Sequence, residues 1–191
     1  MSRKKLFFDM DGVLVDFNSG IGRLTDDEKR EYGDKLDNVP GIFSRMDPIP
    51  GAIEAVHCLS EYYDVYILST APWDNPTAWN DKIDWLKRHF GDLFKKRVML
   101  THCKDLCDGD YLIDDNSKNG ASEFPGEWIH FGSRNFPDWD SVTKYLISLT
   151  IFHEIEEGSN ELYKEIIQLT QLTNKWLIAS GEVNESEYYI D

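Results

Sequence analysis

The chain is poor in cysteine, in basic residues and in long apolar runs, and each shortage excludes something. Its three cysteines, Cys58, Cys103 and Cys107, are an odd and sparse set, which suits a reducing cytoplasm and not the disulfide framework of a small secreted domain. No stretch approaches the roughly 20 apolar residues of a membrane helix. Met1 to Lys5 is basic, but Asp9 interrupts the apolar Leu6-Phe7-Phe8 run before it can serve as a signal-peptide core. The sequence therefore predicts a cytoplasmic protein with no membrane partner. The 20 Lys and Arg face 35 Asp and Glu, a formal net charge of -15. Long nucleic acids and anionic lipid surfaces, which require a positive field, are excluded as partners. Internal repeats and low-complexity linkers are also missing.

What the chain does have is apolar mass. Of its 191 residues 41% are hydrophobic and 13% aromatic, including six Trp, far too apolar for a disordered acidic chain. That length supports one core with a small appendage. Short apolar runs alternate with helical patterns: Lys5 to Phe8, Val65 to Leu68, Arg97 to Leu100, Tyr111 to Ile113 and a further candidate over Glu127 to Phe131 read as buried strands. Ile53, Val56, Leu59 and Tyr63 recur at helical spacing after Pro50-Gly51, and Pro76 opens a helix carrying Trp79, Ile83, Leu86 and Phe90, closed by Gly91. Strand alternating with helix predicts an α/β fold, a parallel sheet covered by helices.

Two regions fall outside the alternation. Residues 18–45 read as a small helical cap inserted after the first strand, with a capping box at Thr25-Asp26-Asp27-Glu28. Residues 1–17 and 46–145 then form the α/β core. Residues 146–191 form a C-terminal helical extension. From Asp138 onward Val142, Tyr145, Leu146 and Leu149 share one helical face, and after Gly158-Ser159-Asn160 so do Leu162, Ile166, Leu169, Thr173, Trp176 and Leu177, offering an antiparallel pair or a homodimer surface before an acidic tail from Glu182 to Asp191.

Functional groups of open α/β sheets gather at the carboxyl ends of the strands, so the residues after each run carry the chemistry. Asp9-Met10-Asp11-Gly12 follows the first. In extended chain Asp9 and Asp11 project to one side, where their mutual repulsion favours a divalent cation or one shared proton. Gly12 permits a tight turn with backbone N–H groups near an anion. Ser69-Thr70-Ala71-Pro72 offers a hydroxyl and a free N–H for phosphate oxygens, Lys104 an ammonium, and Asp114-Asp115 further carboxylates of the kind that suit Mg2+.

This ordered set resembles the haloacid-dehalogenase (HAD) superfamily of phosphohydrolases. Phe8 to Phe17, Pro48 to Ala52, Ser69 to Pro72, Asp81 to Trp85, Leu100 to Lys104 and Leu112 to Asp115 look like its 5'(3')-deoxyribonucleotidase branch, with the resemblance running from about Lys4 to Tyr145. It implies a Rossmann-like core and a phosphomonoesterase acting on (deoxy)nucleoside monophosphates. Asp9 would be the nucleophile that forms an aspartyl phosphate, and Asp11 the general acid and then base. Mg2+ would lie on Asp9, the backbone carbonyl of Asp11 and one of Asp114 and Asp115. Gly12, Thr70, Ala71 and Lys104 would hold phosphate. Phe17 is the one aromatic carried over for the substrate. Lys82 competes with Lys104 for the lysine role, but it lies in the Pro76 helix, where a solvated face is the ordinary reading.

The departures narrow this further. His102 stands where the branch often has a basic residue, Ala71 replaces a serine, and the cap is short, with Tyr32 and Phe43 as substitutes for its aromatic wall. A phosphatase of another small metabolite, or a non-catalytic acidic interaction module, are the competing readings. His102, Cys103 and Cys107 give three soft ligands with no fourth, so they read as incidental buried thiols and not as zinc ligands. The tryptophans read as packing residues, with Trp73, just after the phosphate loop, the one placed to touch substrate.

Overall fold

The computed structural model describes residues 3–156, and the chain divides into two compact units, Met1–Leu146 and Ile147–Asp191. In the first, a five-stranded sheet runs β5-β4-β1-β6-β7, formed by β1 (Lys5–Phe8), β4 (Asp64–Ser69), β5 (Val98–Leu100), β6 (Tyr111–Asp114) and β7 (Glu127–His130). Every neighbouring pair in it is parallel. The expected α/β fold is therefore present, with the strands where the apolar runs place them. β1 lies at the centre of the sheet, and Leu6, Phe7 and Phe8 are buried to within 2%. Its register sets Phe8 level with Ile67 of β4 and Ile113 of β6. The polar residues that follow the three central strands consequently emerge side by side at one edge.

The cap is clamped by a stem too short to read in sequence. β2 (Val15–Asp16) pairs antiparallel with β3 (Asp47–Pro48), two residues from each side. Between them run α1 (Phe17–Gly22), α2 (Asp26–Tyr32) and two 3-10 turns, Leu36–Asn38 and Ile42–Arg45. The capping box forms as expected: the Glu28 N–H donates to Thr25 Oγ1 at 3.2 Å and the Thr25 N–H to the Glu28 carboxylate at 2.8 Å. Arg45 joins that carboxylate at 2.9 Å and, with the Thr25 bonds, holds its pKa down at about 2.

α3 (Ala52–Ser60) buries Ala52, Ala55, Val56 and Leu59 against the sheet. In α4 (Ala78–Phe90) the buried stripe is rotated from the predicted one. It consists of Ala78, Lys82, Trp85, Leu86 and Phe90, whereas Trp79 is 50% exposed. The rotation carries Lys82 inward, where it meets a carboxylate, and it places Trp85 under the cap. The Trp85 indole N–H donates to the Met46 carbonyl at 2.9 Å. Gly91 closes the helix as expected, at a φ of 58°.

α5 (Trp139–Glu156) begins with Trp139, which is buried against Phe8 and Phe131 and donates from its indole to the Val13 carbonyl at 3.0 Å. Val142 and Leu146 are fully buried on the face expected of them. The predicted second C-terminal helix, the dimer surface on it and the acidic tail lie outside the described residues. Cys58 and Cys103 are exposed and Cys107 is half-buried, all three free; the expectation of buried thiols at Cys103 and Cys107 thus fails for Cys103, and Cys107 is covered only in part. Among the described residues no helix is long and apolar enough to cross a membrane.

The Trp85 bond ties α4 to the cap at a buried site, with Trp85 fully buried and Met46 2% exposed. The variant Trp85→Phe, which leaves the Met46 carbonyl unpaired, is expected to lose about 1–3 kcal/mol of stability in urea unfolding monitored by circular dichroism.

Candidate active site

The sheet edge brings Asp9, Asp11, Thr70, Lys104, Asp114 and Asp115 into one cluster. Asp9 follows β1 directly and is held by its N–H, which donates to the Ile113 carbonyl at 2.9 Å. One Asp9 oxygen lies 3.1 Å from Lys104 Nζ. Lys104, on a 3-10 turn after β5, is 3% exposed and also bonds the fully buried Asp114 carboxylate. Burial alone would lower this ammonium's pKa, but Asp9 and Asp114 outweigh it and hold the group above its ordinary value.

Oxygens of Asp9, Asp114 and Asp115 lie within 4.8 Å of one another, and these three are the grouping among the described residues with the arrangement to hold a metal ion. Burial, and then the charge of Asp9, push Asp114 up to about 6, and the same two causes raise Asp115. Three carboxylates against one ammonium leave two negative charges uncompensated in a buried site. An all-oxygen set with that deficit fits a divalent cation.

Asp11 turns away from this group. Its Oδ2 accepts from Lys82 Nζ at 2.6 Å, and Lys82 also donates to the buried Ser69 hydroxyl at 3.2 Å. The solvated-face reading of Lys82 is therefore corrected: its side chain is fully buried, with its ammonium 4.7 Å from the centre of the Phe43 ring. The signal was in the sequence, because Lys82 occupies a core position of the Ala78, Lys82, Trp85 series, but the stripe through Trp79 and Ile83 concealed it. Asp11 Oδ1 is buried and, among the described residues, has no hydrogen-bond partner. Desolvation, then Asp9 and Asp115, raise the Asp11 pKa against the opposing pull of Lys82.

Gly12 shapes the turn between the two acids. Its φ is 77°, and a Cβ there would collide with the Asp115 carboxylate, so the position requires glycine on both counts. Its own N–H donates to the Val15 carbonyl at 3.0 Å. The backbone N–H groups of Asp11 and Ala71 have no protein acceptor among the described residues. The Thr70 hydroxyl donates to the Thr101 carbonyl at 2.8 Å, which fixes its oxygen at the cleft wall.

The cluster opens into a cleft of about 360 Å³. Asp11, Thr70, Pro72, His102, Lys104, Asn116 and Asn119 line its core side, and Phe17, Asp37 and Phe43 line its cap side. Phe17 and Phe43 pack together with centroids 6.1 Å apart. Tyr32 is absent from the wall. Trp73 is 87% exposed and meets His102 edge-on beside the cleft, so it is not a packing residue. A second hollow of about 450 Å³ adjoins through Asp11, Phe17 and Asn116 and reaches Gly12 and Asp115.

Sequence reasoning missed Asp37 and the latch behind it. Asn75, 2% exposed, donates to the Asp37 carbonyl at 2.8 Å and to the Val39 carbonyl at 3.1 Å, while the Gly41 N–H donates to Thr77 Oγ1 at 2.7 Å. These bonds fasten the cap to the loop after β4. No local pattern announces them, since every partner lies more than thirty positions away.

Residues 24–136 match the family described as 5' nucleotidase, deoxy (pyrimidine), cytosolic type C. A protein of Vibrio phage KVP40 named as a 5'(3')-deoxyribonucleotidase is 54% identical over 143 residues, 75% of this chain and 84% of that protein. The human 5'(3')-deoxyribonucleotidase of cytosolic type is 30% identical over 155 residues, 66% and 77% of the two chains. A crystal structure of a HAD hydrolase from Bacillus subtilis, bound to magnesium, shares the fold with a TM-score of 0.53 at 13% identity, covering 76% of this chain and 99% of the other. Domain fold, strand-end chemistry and these likenesses agree: the chain belongs to the 5'(3')-deoxyribonucleotidase family.

Proposed function

We propose that the chain is a phosphomonoesterase that dephosphorylates deoxyribonucleoside monophosphates through an aspartyl phosphate on Asp9. The observation that carries this reading is the pairing of Asp9, fixed by Lys104 inside a buried acidic trio, with Asp11, whose Oδ1 is buried and unpartnered, on the wall of a cleft of about 360 Å³. A cleft of that size suits a small ester and no polymer.

An Asp9 oxygen attacks phosphorus as the bond to the nucleoside oxygen breaks. The unpartnered Asp11 Oδ1 delivers a proton to that departing oxygen, and the raised pKa of this carboxyl equips it to carry one. Asp11, now ionised and paired with Lys82, takes a proton from the water that attacks the aspartyl phosphate, and Asp9 is regenerated as phosphate leaves. Lys104, the Thr70 hydroxyl with its proton turned from the Thr101 carbonyl to the substrate, and the free N–H groups of Asp11 and Ala71 hold the phosphate oxygens in place. Gly12 keeps the turn tight enough for this approach. Asp9, Asp114 and Asp115, with the Asp11 carbonyl, would hold Mg2+. When bound there it neutralises charge building on the phosphoryl oxygens.

A panel of deoxynucleoside monophosphates and sugar phosphates, assayed with and without Mg2+, tests the reading; the nucleotides are expected to be preferred, and equal rates for the two classes would count against it. Asp9→Asn is expected to fold normally, by circular dichroism, and to lose at least about a thousandfold in turnover, since it removes the nucleophile and almost no volume. Asp11→Asn is expected to lose about 10²–10⁴-fold in kcat on a nucleotide. It should lose less on an aryl phosphate, whose leaving group needs no proton; equal losses on both would argue against proton donation. Millimolar Mg2+ is expected to raise the melting temperature of the metal-free protein, and Asp115→Asn to shrink that rise, as read by differential scanning fluorimetry.

A further inference from the structure

We infer that His130 is a positioning residue for the metal site: its ring, stacked on Trp128, holds the Asp115 carbonyl and so keeps the acidic trio arranged for a divalent cation before one binds. The inference rests on the metal site of the nucleotidase reading and names what holds that site in shape. Trp128 and His130 lie two residues apart on the edge strand β7 and so project to the same side of the sheet. Their rings stack with centroids 4.8 Å apart and an interplanar angle of 22°. Trp128 packs against the core cluster that contains Phe7, Leu112 and Phe124, so the imidazole rests on a fixed platform. His130 stands level with Asp114 in the β6–β7 register, and its ring reaches the residue after it.

His130 Nε2 lies 3.0 Å from the Asp115 carbonyl oxygen. A carbonyl can only accept, so Nε2 carries the proton in this contact. Among the described residues the ring is the one hydrogen-bond partner of that carbonyl. The Asp114 carbonyl, by contrast, is held twice, by the Phe131 N–H at 3.0 Å and by the Trp128 indole N–H at 3.3 Å. β6 ends at Asp114, so the sheet ladder fixes Asp114 and leaves Asp115 as the first residue outside it. A carbonyl anchored in space restrains its own Cα, and with it the direction of the attached Cβ. The restraint matters because oxygens of Asp9, Asp114 and Asp115 lie within 4.8 Å of one another, and like charges that close displace whichever residue is least tethered. Asn116 donates to one Asp115 carboxylate oxygen at 3.0 Å, but it belongs to the same loop and would move with it. His130 ties that loop to the core instead. A site arranged in advance spends less of its binding energy on ordering, and groups behind the ligands typically govern metal affinity by about 10–100-fold.

The experiment titrates Mg2+ into the metal-free full chain by isothermal titration calorimetry, with circular dichroism confirming the fold of each variant. His130→Phe keeps a ring on Trp128 and loses the donor, and it is expected to raise the Kd for Mg2+ about tenfold. His130→Gln, whose amide can donate to the same carbonyl, is expected to stay within about threefold of the wild-type Kd. Trp128→Phe leaves the Asp114 carbonyl with the Phe131 N–H and is expected to change the Kd less than His130→Phe does. On a deoxynucleoside monophosphate, His130→Phe is expected to need more Mg2+ for half-maximal rate and to regain most of the wild-type kcat when Mg2+ is in excess. A Kd unmoved in His130→Phe, an equal loss in His130→Gln, or a kcat that excess Mg2+ does not restore would overturn the inference and leave the nucleotidase reading standing. A wild-type chain that binds no Mg2+ would overturn it as well. Mg2+ binding that depends on His130 as expected, with no turnover of any nucleotide by the wild-type chain, would overturn the nucleotidase reading alone.

Discussion

The site depends on crowded carboxylates held at one sheet edge by two buried lysines. Asp9, Asp11, Asp114 and Asp115 would repel one another in a medium of low dielectric. Lys104 bridges Asp9 and Asp114, and Lys82 holds Asp11 from behind. A buried charge without a partner is among the most destabilising features a fold can carry. The lysines therefore fix the carboxylates in place, and the remaining negative charge is what a divalent cation would offset. The two lysines also divide the acids by geometry: Lys104 aims Asp9, while Asp11, paired with Lys82, keeps a buried oxygen with no hydrogen-bond partner among the described residues.

The acidity of the whole chain takes on a different meaning in this light. A net charge of -15 disfavours polyanions, yet the proposed phosphate site would rely on local devices: a lysine, a hydroxyl and backbone N–H groups. On that proposal the global field restricts ligand size, and the local field sets affinity. A cleft of about 360 Å³, closed on one side by a cap fastened through Asn75, Thr77 and Trp85, fits the same restriction. The cap's bonds to the core reach the loop after β4 directly, so the cap wall with Phe17 and Phe43 and the loop that carries Thr70 are positioned by one network.

Much of the fold was legible because it is written in local patterns. The five apolar runs became the five strands, and Thr25 with Glu28 capped its helix as read. Where the reading slipped, a long-range interaction had overridden the local signal. The stripe of α4 looked like Trp79, Ile83, Leu86 and Phe90. The structure chose Ala78, Lys82, Trp85, Leu86 and Phe90 instead, because burying Lys82 against Asp11 and Trp85 under the Met46 carbonyl outweighs burying Trp79. The stem of β2 and β3 escaped because two-residue strands have no periodicity to detect.

The sequence alone determined the inventory of the site: an acidic pair after the first strand, a hydroxyl after the second run, a lysine and a second acidic pair, each at a strand end where the chain must leave the sheet. Tertiary structure alone decided the partnerships. Whether Asp11 joins the acidic trio or pairs with a lysine, which lysine faces the cleft, and which cap residue stands beside the aromatic pair depend on contacts between residues dozens of positions apart. Backbone propensity and hydrophobic pattern act over a few residues, whereas the compensation of buried charge acts through space and is settled only when the parallel strands align Phe8 with Ile67 and Ile113.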